Sequence, residues 1–339
     1  DDNKAHELAD KVWTIIENSA AYGFNSAHAY CMAIDSVTIA YLKAHYPLEF
    51  YKCVLQRFTD KGEKDKVALI KQEMLKRGYK LKDIQFGDDN RAFNIDRSNN
   101  CIVQTMASIK DMPKSAPEAL YVLGKSDIKN RAALYQALMD DPRINKKTIE
   151  ILFHLGYFNK FAQPNRLIAE YEIYQKYISA KVLTKSSFDD IMIDVIRPCC
   201  SKETEKQFRE IDNKALITAL IKQANIKPAT IVDRIKWQLE YLGYCTVNDP
   251  NSDPNDWLVL DVKTTGYGTV YCTLYNLCYG AERTYRVNKK FWTNHQLSKG
   301  DVIRVVLQEK NKMKKDENGE WVTLSEKIVE MKCWKKLEV

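Results

Sequence analysis

Asn25 and Ser26 come just before His28, at the point where a run of helix-forming residues begins. Asn and Ser are favoured at helix N-caps, so we expect them to cap a helix that runs from about Ala27 to Ala44. The free N–H groups and the positive end of the helix dipole would then lie beside His28, an arrangement that binds phosphate. The alternative is structural: Asn25 is only a cap, and His28 lies at the edge of a core.

Tyr271 and Tyr275 belong to an alternating segment late in the chain. Val270, Cys272 and Leu274 occupy one face of this segment, which leaves the tyrosines on the other face. Outward aromatic rings among basic residues are typical of surfaces that bind single-stranded nucleic acid by stacking. Loops flanking this surface are expected to contain Tyr267 and the lysines Lys310, Lys312, Lys314 and Lys315. The alternative is that the tyrosines cover a neighbouring helix.

The charge of the chain suits a polyanionic partner. Its 339 residues have a formal net charge of +7, and from Trp257 onward 15 Lys and Arg stand against 10 Asp and Glu. Apolar residues make up 45% and charged residues 29%, a globular composition. No stretch approaches a membrane span and the first residues do not resemble a signal peptide, so we expect a cytoplasmic protein with no membrane partner.

Nine cysteines are scattered along the chain without a CxxC pair. This spacing favours neither a metal site nor disulfides. We therefore expect buried free thiols, no metal ligands and no cofactor bound by this chain alone.

Hydrophobic periodicity predicts a helical region over residues 4–177, broken by two short strands within 93–106. Helices continue with weaker organisation over 178–248. The segment 186–205 defines no element, whereas 230–244 has the pattern of a long helix.

Residues 248–256 form a dense cluster of turn-forming residues, the best linker in the sequence. After it the hydrophobic period changes from that of a helix to that of a strand. Strands are predicted at 257–263, 269–277, 283–287, 301–308 and 321–333, with a short helix near Phe291. This is the layout of an OB-fold. The predicted fold class is multidomain α+β: a mainly α-helical N-terminal two-thirds with a small β-hairpin, followed by a five-stranded OB-fold β-barrel.

The segment Ala21-Tyr-Gly-Phe-Asn-Ser-Ala-His28, followed by Ala40-Tyr-Leu-Lys-Ala-His-Tyr-Pro47, resembles the fingers of C-family DNA polymerases, the bacterial polymerase III alpha subunits. That family shows Tyr-Gly-Phe-Asn-Lys-Ser-His and then a helix ending in Tyr-Leu-Lys-Ala-His-Tyr-Pro. Later segments at 146–158 and 238–244 follow the family in order. Between 178 and 233 the similarity is too weak to use.

The resemblance implies the C-terminal part of a replicative DNA-directed DNA polymerase, a nucleotidyltransferase of DNA replication. It places the incoming dNTP near Asn25, Ser26, His28 and Tyr30. It also divides the chain into fingers at 1–110, a helix-hairpin-helix region for duplex DNA at 111–247, the linker at 248–256 and an OB domain for single-stranded template at 257–339.

A helix-hairpin-helix binds duplex DNA by directing hairpin amides at a phosphate. Where the family has Gly-Val-Gly, this chain has Asp111-Met112-Pro113, so that Pro113 lacks an N–H and Asp111 repels phosphate. Only Lys110 and Lys114 are left there as weak phosphate contacts. The second hairpin keeps three basic residues for DNA contact, against the alternative of a solvated basic face: Lys146, Lys147 and Arg166.

Nucleotidyl transfer requires two metal ions held by clustered carboxylates. In the family these aspartates belong to a palm that precedes the fingers. We therefore expect this chain to hold no catalytic residue and to be inactive alone, needing an upstream palm region or subunit and Mg²⁺. A sliding clamp is another family partner, but the sequence has no clear Gln-x-x-Leu-Phe-like docking segment.

Two other functions stay open. One is a non-catalytic DNA-binding accessory protein of a replication complex. The other is a helical scaffold whose OB domain contacts proteins.

Overall fold

The computed structural model of the chain describes residues 2–21, 26–315 and 321–338. It begins with two long helices, α1 (Asp2–Ala21) and α2 (Ser26–His45). Helix α2 ends just before Pro47, which starts α3 (Pro47–Asp60), because proline cannot continue a helix but fits its first turn. The predicted helix over 27–44 is confirmed, whereas its expected cap Asn25 lies outside the described residues.

Helices α1 and α2 expose most of their side chains, including many apolar ones. Among their described side chains, Lys43 alone is half-buried. Its Nζ lies 2.7 Å from Oε1 of Glu73, on α4 (Lys64–Lys76), and near the rings of Phe50 and Tyr51. This contact attaches the end of α2 to α3 and α4.

A small three-stranded sheet follows α4. Strands β2 (Asn94–Asp96) and β3 (Cys101–Val103) pair antiparallel, which confirms the predicted hairpin. Strand β1 (Lys80–Lys82) pairs parallel with β3 on its other side. This third strand was not predicted, since three residues are too few to show an alternating pattern.

Four helices then surround the main hydrophobic core: α5 (Ala116–Lys125), α6 (Arg131–Asp140), α7 (Lys146–His154) and α8 (Pro164–Tyr177). Asn130 and Asn145 cap α6 and α7, each accepting a backbone N–H at the third residue of its helix. Their apolar faces meet around Leu152 and Phe158, which are fully buried.

The segment 178–233, in which the sequence pattern predicted only weakly organised helices, contains a second small sheet. Its strands lie in the order β4 (Val182–Thr184), β6 (Gln207–Ile211), β5 (Cys200–Glu203), with α9 (Asp190–Ile196) and α10 (Asn213–Gln223) beside them. The predicted long helix is confirmed as α11 (Ile231–Leu242). Thr230 and Asp233 form a capping box at its start, and Gly243 ends it with a positive φ of 73°.

A closed five-stranded barrel follows α11, as predicted. Its elements are β7 (Asp256–Thr264), β8 (Val270–Asn276), β9 (Glu282–Val287), the short α12 (Lys289–Trp292), β10 (Val302–Lys315) and β11 (Trp321–Lys336). The strands close in the order β10-β11-β9-β8-β7. The predicted fold class is therefore confirmed: a helical part with small sheets, then an OB-type barrel.

Two expectations about connections need correction. The lysine run at 310–315 does not form a loop, because β10 continues through Lys315 and pairs with β11. The expected linker forms turns, but it is bonded to the barrel: Asp249 N–H donates to Leu277 O at 2.8 Å, and Asn248 Nδ2 donates to Cys278 O at 3.0 Å.

Within the described ranges, no helix combines the length and apolar character needed to cross a membrane.

Candidate nucleic-acid interface

Backbone pairing in the barrel aligns five residues in a row that crosses the strands. Lys263 pairs with Tyr271, Tyr271 with Arg286, Arg286 with Glu330, and Glu330 with Gln308. Directly paired residues share one face of a sheet and lie about 5 Å from the next strand. The opposite face holds the barrel core, which includes Val270, Cys272, Leu274, Tyr285 and Val287. We call the outer set, residues 263, 271, 286, 330 and 308, the cross-strand row.

An open groove of about 420 Å³ lies over the middle of this row. Its lining combines aromatic, cationic and acidic groups: Tyr267, Arg286, Lys289, Lys290, Lys310 and Glu330. The ring of Tyr267 is 97% exposed at one edge, and Tyr271 in the row is 38% exposed. Exposed tyrosines next to several cations suit stacked bases and a phosphate backbone.

Local structure places these groups. The turn before β8 is held by Gly268 N–H, which donates to Thr265 O, and Gly268 has a positive φ of 71°, which favours glycine. This turn projects Tyr267 away from the barrel. At the other edge, Asn288 Oδ1 accepts the N–H groups of Lys290 and Phe291. The cap thus fixes Lys289 and Lys290 at the rim of the groove.

Lys310 and Lys312 are strand residues with carboxylate partners. Lys310 Nζ contacts Glu330, and Lys312 Nζ lies 3.0 Å from Oε2 of Glu326. Lys310 lines the groove, whereas Lys312 lies further along the β10–β11 pair. Of Lys310 and Lys312, the structure therefore brings only Lys310 together with Tyr267 and Tyr271.

Tyr275 does not present an open ring, contrary to the expectation for a stacking residue. It lies on the outer face of β8 as predicted, but it is only 2% exposed. Val232 and Ile235 of α11 pack over it, and its hydroxyl donates to Val247 O at 2.7 Å. The alternative of a tyrosine that covers a neighbouring helix holds at this position.

Arg286, Lys289, Lys290 and Glu330 were missed by sequence reasoning. Arg286 had a usable signal, because it alternates with Tyr285 and Val287 and so had to face outward. No sequence signal pointed to Glu330, because its position in the cross-strand row depends on the pairing between β9 and β11.

A second basic cluster lies where the first predicted hairpin meets α7. Asp111 Oδ2 accepts Lys147 Nζ at 2.7 Å. That hydrogen bond lowers the pKa of Asp111, although burial opposes it, and the charges of Lys147, Lys110 and Lys64 lower it further. The structure thus brings the two predicted hairpin sites together around one carboxylate.

Part of the backbone of this hairpin already forms a hydrogen bond within the protein. Lys110 N–H donates to Tyr241 O at 2.9 Å, so that this amide is not directed at solvent. Asp111 has a positive φ of 61°, in the region that favours glycine, where the related family has its glycines. Lys110, Lys114 and Lys146 have exposed side chains.

Arg166 is placed for structure more than for DNA. Its Nε donates to Glu170 Oε1 at 2.8 Å, while Arg131 and Tyr135 donate to Oε2 of the same carboxylate at 2.6 and 3.0 Å. Glu170 is buried, so these partners compensate a charge removed from water. A DNA contact by Arg166 would compete with this network.

Of the predicted nucleotide residues, Ser26, His28 and Tyr30 lie at the start of α2, whereas Asn25 is outside the described residues. Ser26 is the first residue of α2, and His28 and Tyr30 are exposed. Because 28 and 30 are two residues apart, they point about 200° away from each other around the helix. A single ligand would reach both only at the end of the helix axis.

Over residues 2–21, 26–315 and 321–338, no three His, Cys, Asp or Glu side chains converge as metal ligands would.

Comparison with known proteins gives one consistent result. The alpha subunit of DNA polymerase III from Pasteurella multocida is 29% identical over 166 residues, 47% of this chain and 14% of that protein. The Campylobacter jejuni subunit is 28% identical over 155 residues, 45% of this chain and 13% of that protein. The Escherichia coli K12 subunit is 28% identical over 166 residues.

The matched part covers only 13–14% of the length of these relatives. No model of a known protein family matches the chain. The resemblance drawn from the sequence is nevertheless confirmed: this chain contains a region like the C-terminal part of the alpha subunit of DNA polymerase III.

Proposed function

We propose that this chain is the DNA-holding part of a DNA-directed DNA polymerase related to the polymerase III alpha subunit, and that its barrel binds single-stranded template. The cross-strand row beneath an open groove carries this proposal. Tyr267 and Tyr271 supply stacking surfaces, and Arg286, Lys289 and Lys290 supply charge for the backbone.

Duplex DNA is assigned to the cluster around Asp111. Lys110, Lys114, Lys146 and Lys147 are exposed, and the contact of Lys147 with Asp111 joins the two segments that contain them, which supports contact with phosphates. Asp111 weakens this site, because it neutralises Lys147 and would repel a phosphate. The barrel groove is therefore the stronger contact.

The incoming dNTP is assigned to the start of α2, near Asn25, Ser26, His28 and Tyr30. Support comes from the resemblance of this segment to polymerase fingers and from the confirmed helix. The carboxylates that hold two Mg²⁺ ions for the reaction are assigned to a palm region or subunit outside these residues.

Stacking at the groove is tested by single-stranded DNA binding, measured by fluorescence anisotropy. Tyr267→Ala and Tyr271→Ala should each weaken binding by about 1 to 3 kcal/mol, roughly 5- to 150-fold, because each removes one stacking surface. Binding by the unaltered protein should also weaken steeply as salt rises.

Tyr279→Ala is the matched control, since Tyr279 is also an exposed tyrosine but lies in the turn at the other end of β8. It should bind like the unaltered protein. Equal effects at all three tyrosines, or binding indifferent to salt, would remove the basis of the proposal.

A further inference from the structure

Glu330 is an unusual group to find in a groove that receives nucleic acid. It is only 5% exposed, yet it lines the cavity among four cations. In the cross-strand row it lies between Arg286 and Gln308. A groove that held only phosphates would gain nothing from a carboxylate at this place, because like charges repel.

The two oxygens of this carboxylate are used unequally. Lys310 Nζ and Gln308 Nε2 both donate to Oε1, the latter at 2.5 Å. Within the described residues, no side chain donates to Oε2. Burial by itself would raise the pKa of Glu330, but the hydrogen bonds from Lys310 and Gln308, together with the charges of Lys310 and Arg286, hold the pKa below its usual value. The group is therefore an ionised acceptor with one oxygen available.

A nucleobase amino group is the donor that such an oxygen fits. Carboxylates accept hydrogen bonds from the exocyclic amino group of cytosine. Thymine has a carbonyl oxygen at the same ring position, which a carboxylate repels, and its ring N–H lies between two carbonyls. Tyr271 is two strands from Glu330 in the row, about 10 Å away, so that it can stack a neighbouring base.

We propose that Glu330 accepts a hydrogen bond from the amino group of a base bound in the groove, so that the barrel prefers cytosine to thymine. This inference rests on the proposed binding of single-stranded DNA. It adds a base preference to a surface whose other contacts, stacking and phosphate charge, do not distinguish sequences.

The preference is measured with the unaltered protein and oligo(dC) or oligo(dT) of about 15 nucleotides, a length within the range of OB-fold sites. Oligo(dC) should bind about tenfold more tightly, the effect of one charged hydrogen bond to a base edge. An oligonucleotide of cytosines with two methyl groups on the amino nitrogen should lose this advantage. That comparison changes only the ligand, so it does not depend on a variant that folds.

Glu330→Gln tests the residue itself. Lys310 and Gln308 donate to one side of the group, so the amide oxygen should face them and its NH₂ should face the groove. The preference for cytosine should then disappear or reverse. Glu326→Gln is the control, because Glu326 also pairs with a lysine of β10 but lies outside the groove, and it should keep the preference.

The outcomes separate the two proposals. Salt-sensitive binding that is equal for the two oligonucleotides would overturn the role of Glu330 and leave template binding intact. A Glu330→Gln protein that binds both more weakly at an unchanged ratio would show that Glu330 only positions Lys310, which also overturns it. Failure to bind either oligonucleotide would overturn the proposed function as well.

Discussion

Lys71 is a fully buried lysine in α4. Its Nζ donates to Gln104 Oε1 and to Ser108 Oγ, each at 2.8 Å, and lies near the rings of Phe93 and Tyr244. Burial lowers the pKa of Lys71 to about 7, although the charge of Asp83 opposes that shift. When protonated, Lys71 thus carries its charge inside the protein with two neutral hydrogen-bond acceptors and no carboxylate in direct contact.

This burial makes stability depend on pH. The unfolded chain keeps the Lys71 proton up to about pH 10, whereas the folded chain releases it near pH 7. Between those values the unfolded state binds more protons, so the free energy of unfolding rises with pH there, by up to about 5 kcal/mol from this group. Below pH 7 both states are protonated and the full cost of the buried charge is present.

Lys71→Met should therefore be more stable than the unaltered protein at pH 6, by about 1 to 3 kcal/mol, and its stability should rise less between pH 7 and 9. Urea unfolding at several pH values measures both effects. Asp83→Asn is a control, because it removes the carboxylate whose charge opposes the pKa shift of Lys71. Asp83 is itself near Arg234. If the free energy of unfolding of Lys71→Met varies with pH as steeply as that of the unaltered protein, a group other than Lys71 causes the pH dependence.

The sequence could not reveal the state of Lys71. Lys71 occupies an ordinary position in a helix. The rings that enclose its Nζ belong to Phe93 and Tyr244, which lie 22 and 173 positions further along the chain. Burial of this kind is a property of the assembled fold. The same is true of Glu170, whose two arginine partners lie on α6 and α8.

At the scale of elements, the sequence predicted what periodicity can encode. The barrel strands and the interposed helix were found because alternation is strong over six or more residues. The strands of the second small sheet, which are three to five residues long, were not found. The extension of β10 was missed because its lysines suggested a loop, although cross-strand ion pairs such as Lys327–Glu309 favour the strand.

Prediction of the candidate site from the sequence had the same limit. Alternation predicted the outward face of β8, but it did not predict that α11 covers Tyr275 and leaves Tyr271 open. Strand register, which joins Tyr271 to Arg286 and Glu330, cannot be read from separate segments. The exposed Tyr267 was predicted correctly in a loop, because its flanking glycines mark a turn.

The hairpin that contains Asp111 offers a test at this scale. Asp111→Asn removes the charge that engages Lys147 while tolerating the positive φ, since Asn adopts that conformation readily. Duplex DNA should bind about threefold or more tightly at low salt, with a log–log salt dependence steeper by about one unit. Anisotropy titrations across salt concentrations measure both quantities.

Asp127→Asn makes the same change of net charge at an exposed ion pair with Lys129, outside this cluster. It should have little effect on duplex binding. An equal gain in both variants would mean that net charge, and not the hairpin, controls the affinity.

At the scale of the whole molecule, a bridging cluster joins the hydrophobic core of the helical part to that of the barrel. The helical core and the barrel core have separate members, and the bridging cluster contains Val232 and Ile235 from α11 with Leu258 and Tyr275 from the barrel. Tyr275 also donates its hydroxyl to Val247 O between the two parts. Its ring is therefore a main connection between them.

Tyr275→Ala should destabilise the protein by about 3 to 5 kcal/mol and separate the unfolding of the barrel from that of the helices. Tyr275→Phe, which loses only the hydrogen bond, should cost about 1 to 2 kcal/mol. Differential scanning calorimetry should show two transitions for the alanine variant. A single transition at the original temperature would contradict this role of Tyr275.

The cross-strand row takes one residue from each strand of the barrel. Its members are scattered over nearly 70 positions of sequence and share no motif, so what defines the row is hydrogen-bond register. A one-residue insertion within β9 would turn Arg286 inward and break the row, whereas a change of length in a turn would leave it intact. Such a surface can persist in distant relatives after its sequence signature has been lost, and comparing the register of barrels, more than aligning their residues, is the way to find it.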